Sequence, residues 1–361
     1  MSLICAEDYQ RLARDRLSAD VWDFIEGGSG AEITLEANRR AFDEVRLRPR
    51  VLVDVSHCST RAAVLGASLA VPMGIAPTAF HKLAHPDAEV GTARGAGAAG
   101  ALYIVGLFAS RTIEEIAEAA SGPLWFQLYW LQRRDVMEYL VKRVVAAGYR
   151  AVVLTVDTPR IGRRLRDLRN AFALDPEIRA VNLDQDLMAA THRRRIGESA
   201  IAVHSAQTFD ASLTWDDLTW LRETTELPLV LKGILTAEDA VRALDCGVDA
   251  IIVSNHGGRQ LDGAPASLHA LAEVTAAVDG RCPVLFDGGV RRGNDIFIAL
   301  ALGASAVLIG RPVLWALAVN GGAGVAALLR LLQEELTLTM TLAGRPTIAD
   351  IDRSAVTMRA A

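Results

Sequence analysis

The segment "AIIVSNHGGRQLDG" (250–263) ends a run of branched apolar residues with a histidine, two glycines, an arginine and an aspartate. An apolar run without polar alternation predicts a strand that is buried on both faces, as in a parallel sheet. In parallel α/β barrels the carboxyl ends of the strands carry the functional residues. The segment therefore predicts a buried strand that ends at His256 and opens onto a site.

Seven further runs of this kind are each bounded by Gly, Pro or polar residues and followed by a segment with helical periodicity. Apart from one gap, consecutive runs begin roughly 23 to 32 residues apart, which is the length of one strand, loop and helix in a (β/α)8 barrel. The sequence thus predicts an α/β protein with a (β/α)8 TIM barrel. The eight predicted strands are 71–77, 101–106, 124–130, 151–157, 227–233, 250–256, 282–289 and 306–312.

The segments between these strands carry helix caps or first-turn acids, and they often end at glycine, which predicts helices. One of them contains "GAGAAG" (95–100), which matches the dinucleotide-binding fingerprint. That fingerprint must follow a strand and open a helix, whereas this one ends a helix and precedes a strand. It indicates close packing rather than a nicotinamide site. The predicted helices are 86–100, 111–120, 133–148, 236–247, 292–303 and 324–344.

The gap between the fourth and fifth strands is too long for one connection and predicts a long active-site loop. Residues 213–225 supply the missing helix, and the polar stretch 183–199 lacks apolar periodicity, so we expect mobility there. Whether the loop at 175–205 closes over the site is left open. The whole chain, 1–361, is predicted to be one domain with a helical arm (1–70), a barrel (71–320) and a C-terminal helix and tail (321–361).

The composition limits the classes of function. The chain has 361 residues, 51% of them hydrophobic and 22% charged, and its net charge of −5 disfavours nucleic acid as a partner. The basic cluster 192–195 is short and is interpreted as a solvated loop. The four cysteines lie far apart, which predicts no metal site and no disulfide framework and fits a cytoplasmic location. An early polar N-terminus and the lack of a long apolar run predict no export and no membrane span.

Because the strand ends of a barrel converge on one mouth, their residues form one candidate site. Glycines and arginines follow the last two strands in "DGGVRRG" (287–293) and "IGRP" (309–312), where barrels bind phosphate, and they predict a bound phosphate ester. A barrel that binds a phosphorylated sugar or nucleotide without redox chemistry fits this feature equally. The converging residues are Pro77, Thr78, Ala79, Gly106, Gln127, Tyr129, Thr155, Asp157, Lys232, His256, Arg259, Asp287, Gly288, Gly289, Gly310 and Arg311.

Several motifs together resemble those of a known family. In chain order these are "QLYW" (127–130), "TVDTPRIGRR" (155–164), "LKG" (231–233), "SNHGGRQLD" (254–262), "DGGVRRG" and "IGRP". They closely resemble the FMN-dependent L-2-hydroxy acid oxidases and dehydrogenases, which include glycolate oxidase, lactate oxidase, mandelate dehydrogenase and hydroxymandelate oxidase. The resemblance covers nearly the whole chain and favours oxidation with FMN over the non-redox alternative.

The resemblance implies a role for each matching residue. His256 would be the base, oriented by Asp157, while Arg259 and Arg164 would hold the substrate carboxylate and Tyr129 would contact the oxygen on the reacting carbon. Lys232 would stabilise negative charge on the reduced flavin, a task suited to a cation near the ring. The implied FMN-binding residues are Pro77, Thr78, Ala79, Gly106, Gln127, Thr155, Lys232, Ser254, Asp287, Gly289, Arg291, Gly310 and Arg311.

These residue types suit the reaction. Oxidation of a 2-hydroxy acid removes a proton and a hydride equivalent from a carbon beside a carboxylate. An imidazole accepts a proton at neutral pH, and a partner aspartate stabilises the imidazolium that forms. The guanidinium fork of arginine matches a carboxylate better than the point charge of lysine does. Whether the electrons leave as a hydride or after a carbanion is left open.

Three positions depart from the glycolate oxidase pattern. Phe24 replaces a tyrosine that contacts the substrate carboxylate, and Gly106 and Phe108 replace serine and tryptophan. These changes predict a roomier, more apolar pocket for an aryl or branched hydroxy acid. Phe24, "WFQLYWL" (125–131) and "GRRLRDLRN" (162–170) are most similar to the hydroxymandelate oxidases of antibiotic biosynthesis, which favours (S)-mandelate or 4-hydroxymandelate over glycolate or lactate.

The electron acceptor is predicted to be O2, with H2O2 as the product. Membrane-bound relatives carry a hydrophobic insertion after the fourth strand, where this chain has a polar loop, and the arm 1–70 leaves no room for the haem domain of cytochrome-linked relatives. Ala79, where other members have glycine, is also consistent with an oxidase. A dehydrogenase with another acceptor remains the alternative. The resemblance further implies a homotetramer.

Overall fold

The structure is a computed structural model that describes residues 3–183, 189–193, 196–197 and 199–358. The predicted mobile stretch 183–199 and the basic cluster 192–195 therefore lie partly outside the described residues.

The N-terminal arm begins with three helices, α1 (Ala6–Arg16), α2 (Ala19–Glu26) and α3 (Ile33–Asp43). The arm also contains three short strands, which the prediction of helices and a connecting segment missed. Strand β1 (Val45–Leu47) pairs antiparallel with β12 (Val356–Met358) near the C-terminus. These strands have three residues each, too few to show a period in the sequence.

The other two strands of the arm, β2 (Ala62–Val64) and β3 (Ala67–Leu69), form an antiparallel hairpin. Val64 and Leu69 belong to the apolar cluster that fills the barrel interior, together with residues such as Trp125 and Ile252. The hairpin thus packs against the inside of the barrel and excludes water from one end, which leaves the opposite end for the site.

Eight parallel strands close into a barrel in the order β10-β11-β4-β5-β6-β7-β8-β9, which confirms the predicted (β/α)8 fold. Each predicted run coincides with one of them, although β8 extends one residue beyond its run, to Ile234. The barrel strands are β4 (Met73–Ile75), β5 (Leu102–Gly106), β6 (Leu124–Tyr129), β7 (Val152–Thr155), β8 (Leu229–Ile234), β9 (Ala250–Val253), β10 (Val284–Asp287) and β11 (Ala306–Ile309).

Most strands end earlier than predicted, and the difference matters at β9. The prediction that His256 ends this strand is wrong, because the strand stops at Val253 and His256 opens a short 3-10 turn that continues to Gly258. The Asn255 side chain accepts a hydrogen bond from the backbone N of Gly258 at 3.1 Å, and Ser254 Oγ accepts one from the backbone N of His256 at 3.0 Å. These local bonds replace the ladder and turn the chain into the mouth of the barrel.

Helices surround the barrel, and the described part of the long loop after β7 contains two short ones that were not predicted, α7 (Leu165–Arg169) and α8 (Ala200–Thr208). The helix predicted at 213–225 is present as α9. The remaining helices are α4 (Ala88–Ala98), α5 (Ile113–Ala119), α6 (Arg134–Ala146), α7 (Leu165–Arg169), α8 (Ala200–Thr208), α9 (Asp217–Thr224), α10 (Ala237–Asp245), α11 (Ser267–Val278), α12 (Gly293–Ala301) and α13 (Arg311–Ala343).

Helix α13 begins directly after β11, earlier than the predicted start at 324, and it is interrupted at Asn320 and Gly321. It is the one described helix that is long and apolar enough to cross a membrane, and 78% of its most apolar window is buried. It packs against α4, where a side chain at Gly95 would meet the Gly322 carbonyl at 2.7 Å. The "GAGAAG" stretch thus brings two helices into close contact, as predicted from its place in the chain.

Candidate active site

A cleft with about 1110 Å³ of space, including its open mouth, lies at the carboxyl ends of the barrel strands. Most of the residues predicted from the sequence line it, although they come from many different strands and loops. The predicted residues in the lining are Phe24, Pro77, Thr78, Ala79, Phe108, Tyr129, Arg164, Lys232, His256, Arg259, Asp287, Gly288, Gly289, Arg291, Gly310 and Arg311.

The other predicted residues lie behind this lining: Gly106, Gln127, Thr155, Asp157 and Ser254. Gln127 donates to Thr155 Oγ1 at 3.1 Å and accepts from the backbone N of Leu107 at 3.2 Å. Asp157 is partly buried and the other four are buried, so these residues form the floor of the cleft.

His256 forms the centre of a hydrogen-bonded group. Its Nδ1 lies 2.9 Å from Asp157 Oδ1, which also accepts a hydrogen bond from the Thr158 hydroxyl at 2.8 Å. The Nδ1–carboxylate bond fixes the tautomer of a neutral imidazole with its hydrogen on Nδ1. The lone pair of Nε2 is then left for a ligand in the cleft. Thr158 also lines the cleft, and sequence reasoning did not identify it as a site residue although it adjoins Asp157.

Burial lowers the pKa of His256, while the negative charge of Asp157 raises it and Lys232 lowers it further. Burial also opposes ionisation of Asp157, but His256 and Lys232 outweigh it and hold the pKa of this carboxyl below its usual range. A second oxygen, Asp157 Oδ2, is buried without a hydrogen-bond partner among the described residues. The pair is therefore an anionic carboxylate beside a neutral imidazole that can take up a proton.

The backbone around this pair is constrained. His256 has φ +59°, in the left-handed region that non-glycine residues seldom adopt. Strand β8 has a register irregularity at Gly233, where φ is +113° and a Cβ would meet Asp157 Cβ at 2.6 Å. A glycine is required there because Asp157 packs directly against the bulge. Such strain is found where a side chain must be aimed at a ligand.

Lys232 is buried at the floor of the cleft and bonded to two residues. Its Nζ donates to Ser254 Oγ at 2.9 Å and lies 3.3 Å from Asp287 Oδ2, and Ser254 donates to Asp287 Oδ1 at 2.6 Å. Lys232 lies in β8, Asp287 lies in β10, and Ser254 directly follows β9, the strand between them. A fixed ammonium group therefore lies in the lining of the cleft.

Two arginines face the same part of the cleft as His256. Arg259 Nη1 donates to the carbonyls of Phe24 at 2.8 Å and Gly27 at 2.7 Å. Burial, together with the nearby charges of Arg164 and Arg311, lowers the pKa of Arg259. Arg164 Nε is buried without a partner among the described residues. Two buried cations that repel each other favour a ligand that brings negative charge between them.

A second cationic region lies at the ends of the last two strands. Burial, with the nearby charge of Arg311, lowers the pKa of Arg291 to about 10. The Arg311 guanidinium donates to the backbone carbonyls of Ile25, Gly257 and Gly27 at 3.0 to 3.1 Å. Among the described residues, neither arginine forms an ion pair with a carboxylate.

Gly289 has φ +85°, and a Cβ there would meet the Asn38 carbonyl at 2.2 Å, so this glycine serves packing against α3. Gly310, by contrast, lines the cleft, and a Cβ there would meet only Ala76 Cβ and Thr78 Cγ2, both at 3.9 Å.

The opposite side of the cleft is aromatic. Phe108 lies between the rings of Phe80 and Phe209, at centroid distances of 5.8 and 6.0 Å, and Phe209 stacks on Tyr129 at 4.5 Å. Phe24 stacks on Phe172 at 4.5 Å. Sequence reasoning found Phe24 and Phe108 but missed Phe209, because it lies in the long loop, at the end of a segment without a clear pattern.

The sequence profile of a family described as FMN-dependent dehydrogenase matches residues 13–358. The chain belongs to this family.

Named relatives are similar along almost their full length. An L-lactate oxidase of Nostoc sp. is 49% identical over 96% of both chains. A 4-hydroxymandelate oxidase of Amycolatopsis orientalis is also 49% identical, over 95% of both chains. The crystal structure of a mandelate oxidase with (S)-4-hydroxymandelic acid superposes with a TM-score of 0.95 at 46% identity and covers 99% of this chain and 100% of its own. FMN is therefore the cofactor, as the motifs predicted.

The residues of the cleft fit this cofactor. Arg291 and Arg311 line the cleft and form no ion pair with a carboxylate among the described residues, as expected for a phosphate site. Lys232 supplies the positive charge that suits a reduced flavin. In the described part of the chain, no group of three or more His, Cys, Asp or Glu residues could hold a metal ion.

Proposed function

We propose that the protein oxidises an (S)-2-hydroxy acid with an aryl side chain, mandelate or 4-hydroxymandelate, to the 2-oxo acid and passes the electrons through FMN to O2, which becomes H2O2. The aromatic residues Phe24, Phe108 and Phe209, which line the same cleft as His256 and Arg259, carry this proposal. An aryl group placed there would stack on aromatic rings and be removed from water.

His256 is proposed to take the proton from the substrate. Its Nδ1 is held by Asp157, so Nε2 faces the cleft as the acceptor, and the positive charge that develops lies beside an anionic carboxylate. Oxidation to the 2-oxo acid releases two protons and two electrons, so FMN, whose chemistry is to accept two electrons, would take the electron pair together with the proton that His256 does not take. The pair of residues thus supplies a base that is neutral at rest and stabilised once protonated.

Arg259 and Arg164 are proposed to bind the substrate carboxylate. Backbone carbonyls of the arm already fix Arg259. The N–H groups of both guanidinium groups that have no partner among the described residues would donate to the substrate carboxylate, whose negative charge would offset the charge of the arginines. Tyr129 would contact the substrate oxygen. Burial raises the pKa of Tyr129, so its hydroxyl stays a donor in the working pH range.

FMN is proposed to lie with its ring beside Thr78 and Ala79, over the floor of Gly106, Gln127 and Thr155. Lys232, supported by Ser254 and Asp287, would face the reduced ring. The phosphate would be bound by the strand ends at Gly289, Arg291, Gly310 and Arg311. These placements rest on the cleft lining, the buried cations and the match to the family.

A second candidate is the same reaction on an aliphatic acid. It is favoured by the relative named L-lactate oxidase, which is as similar as the 4-hydroxymandelate oxidase. Anaerobic stopped-flow mixing with mandelate, 4-hydroxymandelate, lactate and glycolate separates the two. We expect the fastest flavin reduction with the aryl acids. Fast reduction by lactate or glycolate without reduction by mandelate would contradict the proposal.

The acceptor is tested in an oxygen electrode. We expect O2 uptake and peroxide formation with mandelate. Turnover with a quinone analogue but no O2 uptake would instead indicate a dehydrogenase. The homotetramer, the cytoplasmic location and the role in antibiotic biosynthesis stay predictions, and light scattering on the purified protein checks the first.

A further inference from the structure

A line of hydrogen bonds leads from the cleft into the protein at Thr78, and the reaction proposed above does not use it. Thr78 Oγ1 lies 2.6 Å from His81 Nε2, and His81 Nδ1 lies 2.9 Å from Thr92 Oγ1. Thr92 Oγ1 in turn donates to the Ala88 carbonyl at 3.3 Å. Thr78 lines the cleft, whereas His81 and Thr92 are fully buried.

The position of the His81 ring is fixed from several sides. The backbone N of His81 donates to Glu89 Oε1 at 2.9 Å. The preceding residue, Phe80, has φ +53°, and its backbone N donates to the Phe108 carbonyl at 2.9 Å. A non-glycine residue in the left-handed region persists only where its surroundings enforce it. The turn at Phe80 directs the imidazole back to Thr78.

His81 is a neutral imidazole with a single N–H. Burial lowers its pKa to about 3, so at neutral pH one ring nitrogen donates and the other accepts. The direction of the line of bonds then follows from its inner end. Thr92 donates its one hydrogen to the Ala88 carbonyl at 3.3 Å, as a helix threonine commonly does, and its oxygen is then left to accept from His81 Nδ1–H.

The remaining nitrogen of His81, Nε2, carries a lone pair and accepts the hydrogen of the Thr78 hydroxyl. With this direction every hydrogen along the line has a partner inside the protein. The opposite direction would leave the Thr78 hydrogen without a partner among the described residues. The Thr78 oxygen therefore presents lone pairs, and no hydrogen, to whatever lies in the cleft.

We propose that His81 is a positioning residue that makes the Thr78 hydroxyl an obligate acceptor toward FMN and thereby favours binding of reduced over oxidised FMN. Two-electron reduction converts a ring nitrogen of the isoalloxazine from an acceptor into an N–H donor. An oxygen that can only accept a hydrogen bond would accept one from that N–H in reduced FMN. In oxidised FMN the same oxygen would face the lone pair of the ring nitrogen and be repelled by it. Hydrogen bonds to ring nitrogens are a recognised way in which a protein tunes a flavin. The inference rests on the ring position beside Thr78 proposed above.

The test compares two substitutions in the holoenzyme. Thr92→Val removes the acceptor of Nδ1–H, so the tautomer reverses, Nε2–H donates to Thr78, and the Thr78 hydrogen turns to the cleft. Thr78→Val removes the hydroxyl altogether. The midpoint potential of bound FMN is measured by anaerobic titration against a reference dye.

We expect Thr92→Val to lower the preference for reduced over oxidised FMN about tenfold, which is a potential about 30 mV more negative for a two-electron couple. Thr78→Val should shift the potential in the same direction by a smaller amount, because it removes an acceptor without creating a donor. In the Thr78→Val background, Thr92→Val should have no further effect. A larger shift of the potential in Thr92→Val than in Thr78→Val would not arise from lost packing, because Thr92 is the residue farther from the cleft.

Thr337→Val is the matched control, because the Thr337 hydroxyl likewise donates to a carbonyl four residues earlier, at 2.8 Å, and lies outside the cleft. It should leave the potential unchanged. His81→Gln has an amide oxygen that can accept from Thr78 and should retain the wild-type potential, whereas His81→Leu should have a more negative potential. If Thr92→Val fails to fold, these two variants test the role of His81.

Two results would overturn the proposal, and they differ in meaning. If Thr78→Val leaves the potential unchanged, the ring does not lie beside Thr78, and the proposed cofactor position fails as well. If Thr78→Val lowers the potential but Thr92→Val and His81→Leu match the Thr337→Val control, the cofactor position stands and the relay through His81 is wrong.

Discussion

The two sides of the cleft differ in how they are built. On the polar side, His256, Lys232 and Arg259 are each fixed by a hydrogen bond of 2.7 to 2.9 Å, to a carboxylate, a hydroxyl and a backbone carbonyl respectively. On the aromatic side, Phe108 and Phe209 are positioned by ring contacts at 4.5 to 6.0 Å. Hydrogen bonds define a direction, whereas ring contacts define a volume. The polar side is thus suited to chemistry and the aromatic side to selection of the substrate.

The largest expected effect is the loss of the base on the polar side. His256→Gln should retain FMN but lower the rate of flavin reduction by mandelate about 1000-fold, since general bases contribute about 100- to 10,000-fold. Stopped-flow absorbance at saturating substrate measures this rate. A loss of less than about tenfold would contradict the assignment of His256 as the base, because the chemistry would then not depend on this side chain.

The next effect concerns the carboxylate behind the base. Because Asp157 raises the pKa of His256 against the opposing effect of burial, Asp157→Asn should lower this pKa further. The rate requires neutral His256, so its acid limb lies below the ordinary pKa of about 6.5 in the wild type and should move to lower pH in the variant. At neutral pH the rate should fall about 10- to 100-fold, because the imidazolium loses its anion. An acid limb that moves to higher pH would contradict the assignment.

On the aromatic side the expected effect is smaller and depends on the substrate. Phe209→Ala removes the ring that stacks on Tyr129, so the apparent affinity for mandelate should fall about tenfold while that for lactate changes less than about threefold. Phe209→Leu, which keeps an apolar side chain without the ring, is the control. Its apparent affinity for mandelate should lie between those of the wild type and Phe209→Ala. Equal losses for both acids would show that the aromatic side supports the site without selecting the substrate.

The smallest effect is expected at Phe24, which adjoins both sides. It stacks on Phe172, and the guanidinium of Arg259 lies 5.3 Å from its ring centroid. Phe24→Tyr should raise the rate with glycolate relative to mandelate about two- to fivefold, since one hydroxyl adds one neutral hydrogen bond. The ratio of kcat/KM for the two acids measures it, and a shift in favour of mandelate would contradict the role proposed for Phe24.

Much of the polar side could be predicted because its residues follow strands that the sequence marks clearly. Lys232 and Asp287 belong to long apolar runs, and the topology of a parallel barrel brings such ends together. Phe209 and Thr158 could not be predicted in the same way. Phe209 joins the site only because the loop after β7 folds back, as the bridge between Leu131 and Phe209 shows.

The sequence by itself determined the barrel and the polar residues at its mouth, because a period of apolar runs and glycine-rich turns is a local property of the chain. The tertiary structure decided which residues line the aromatic side, that β9 stops at Val253 so that His256 lies in a turn, and that a buried histidine at 81 orients the hydroxyl of Thr78. These features depend on contacts between residues distant in the chain and on hydrogen-bond geometry. Neither leaves a periodic trace in the order of the amino acids.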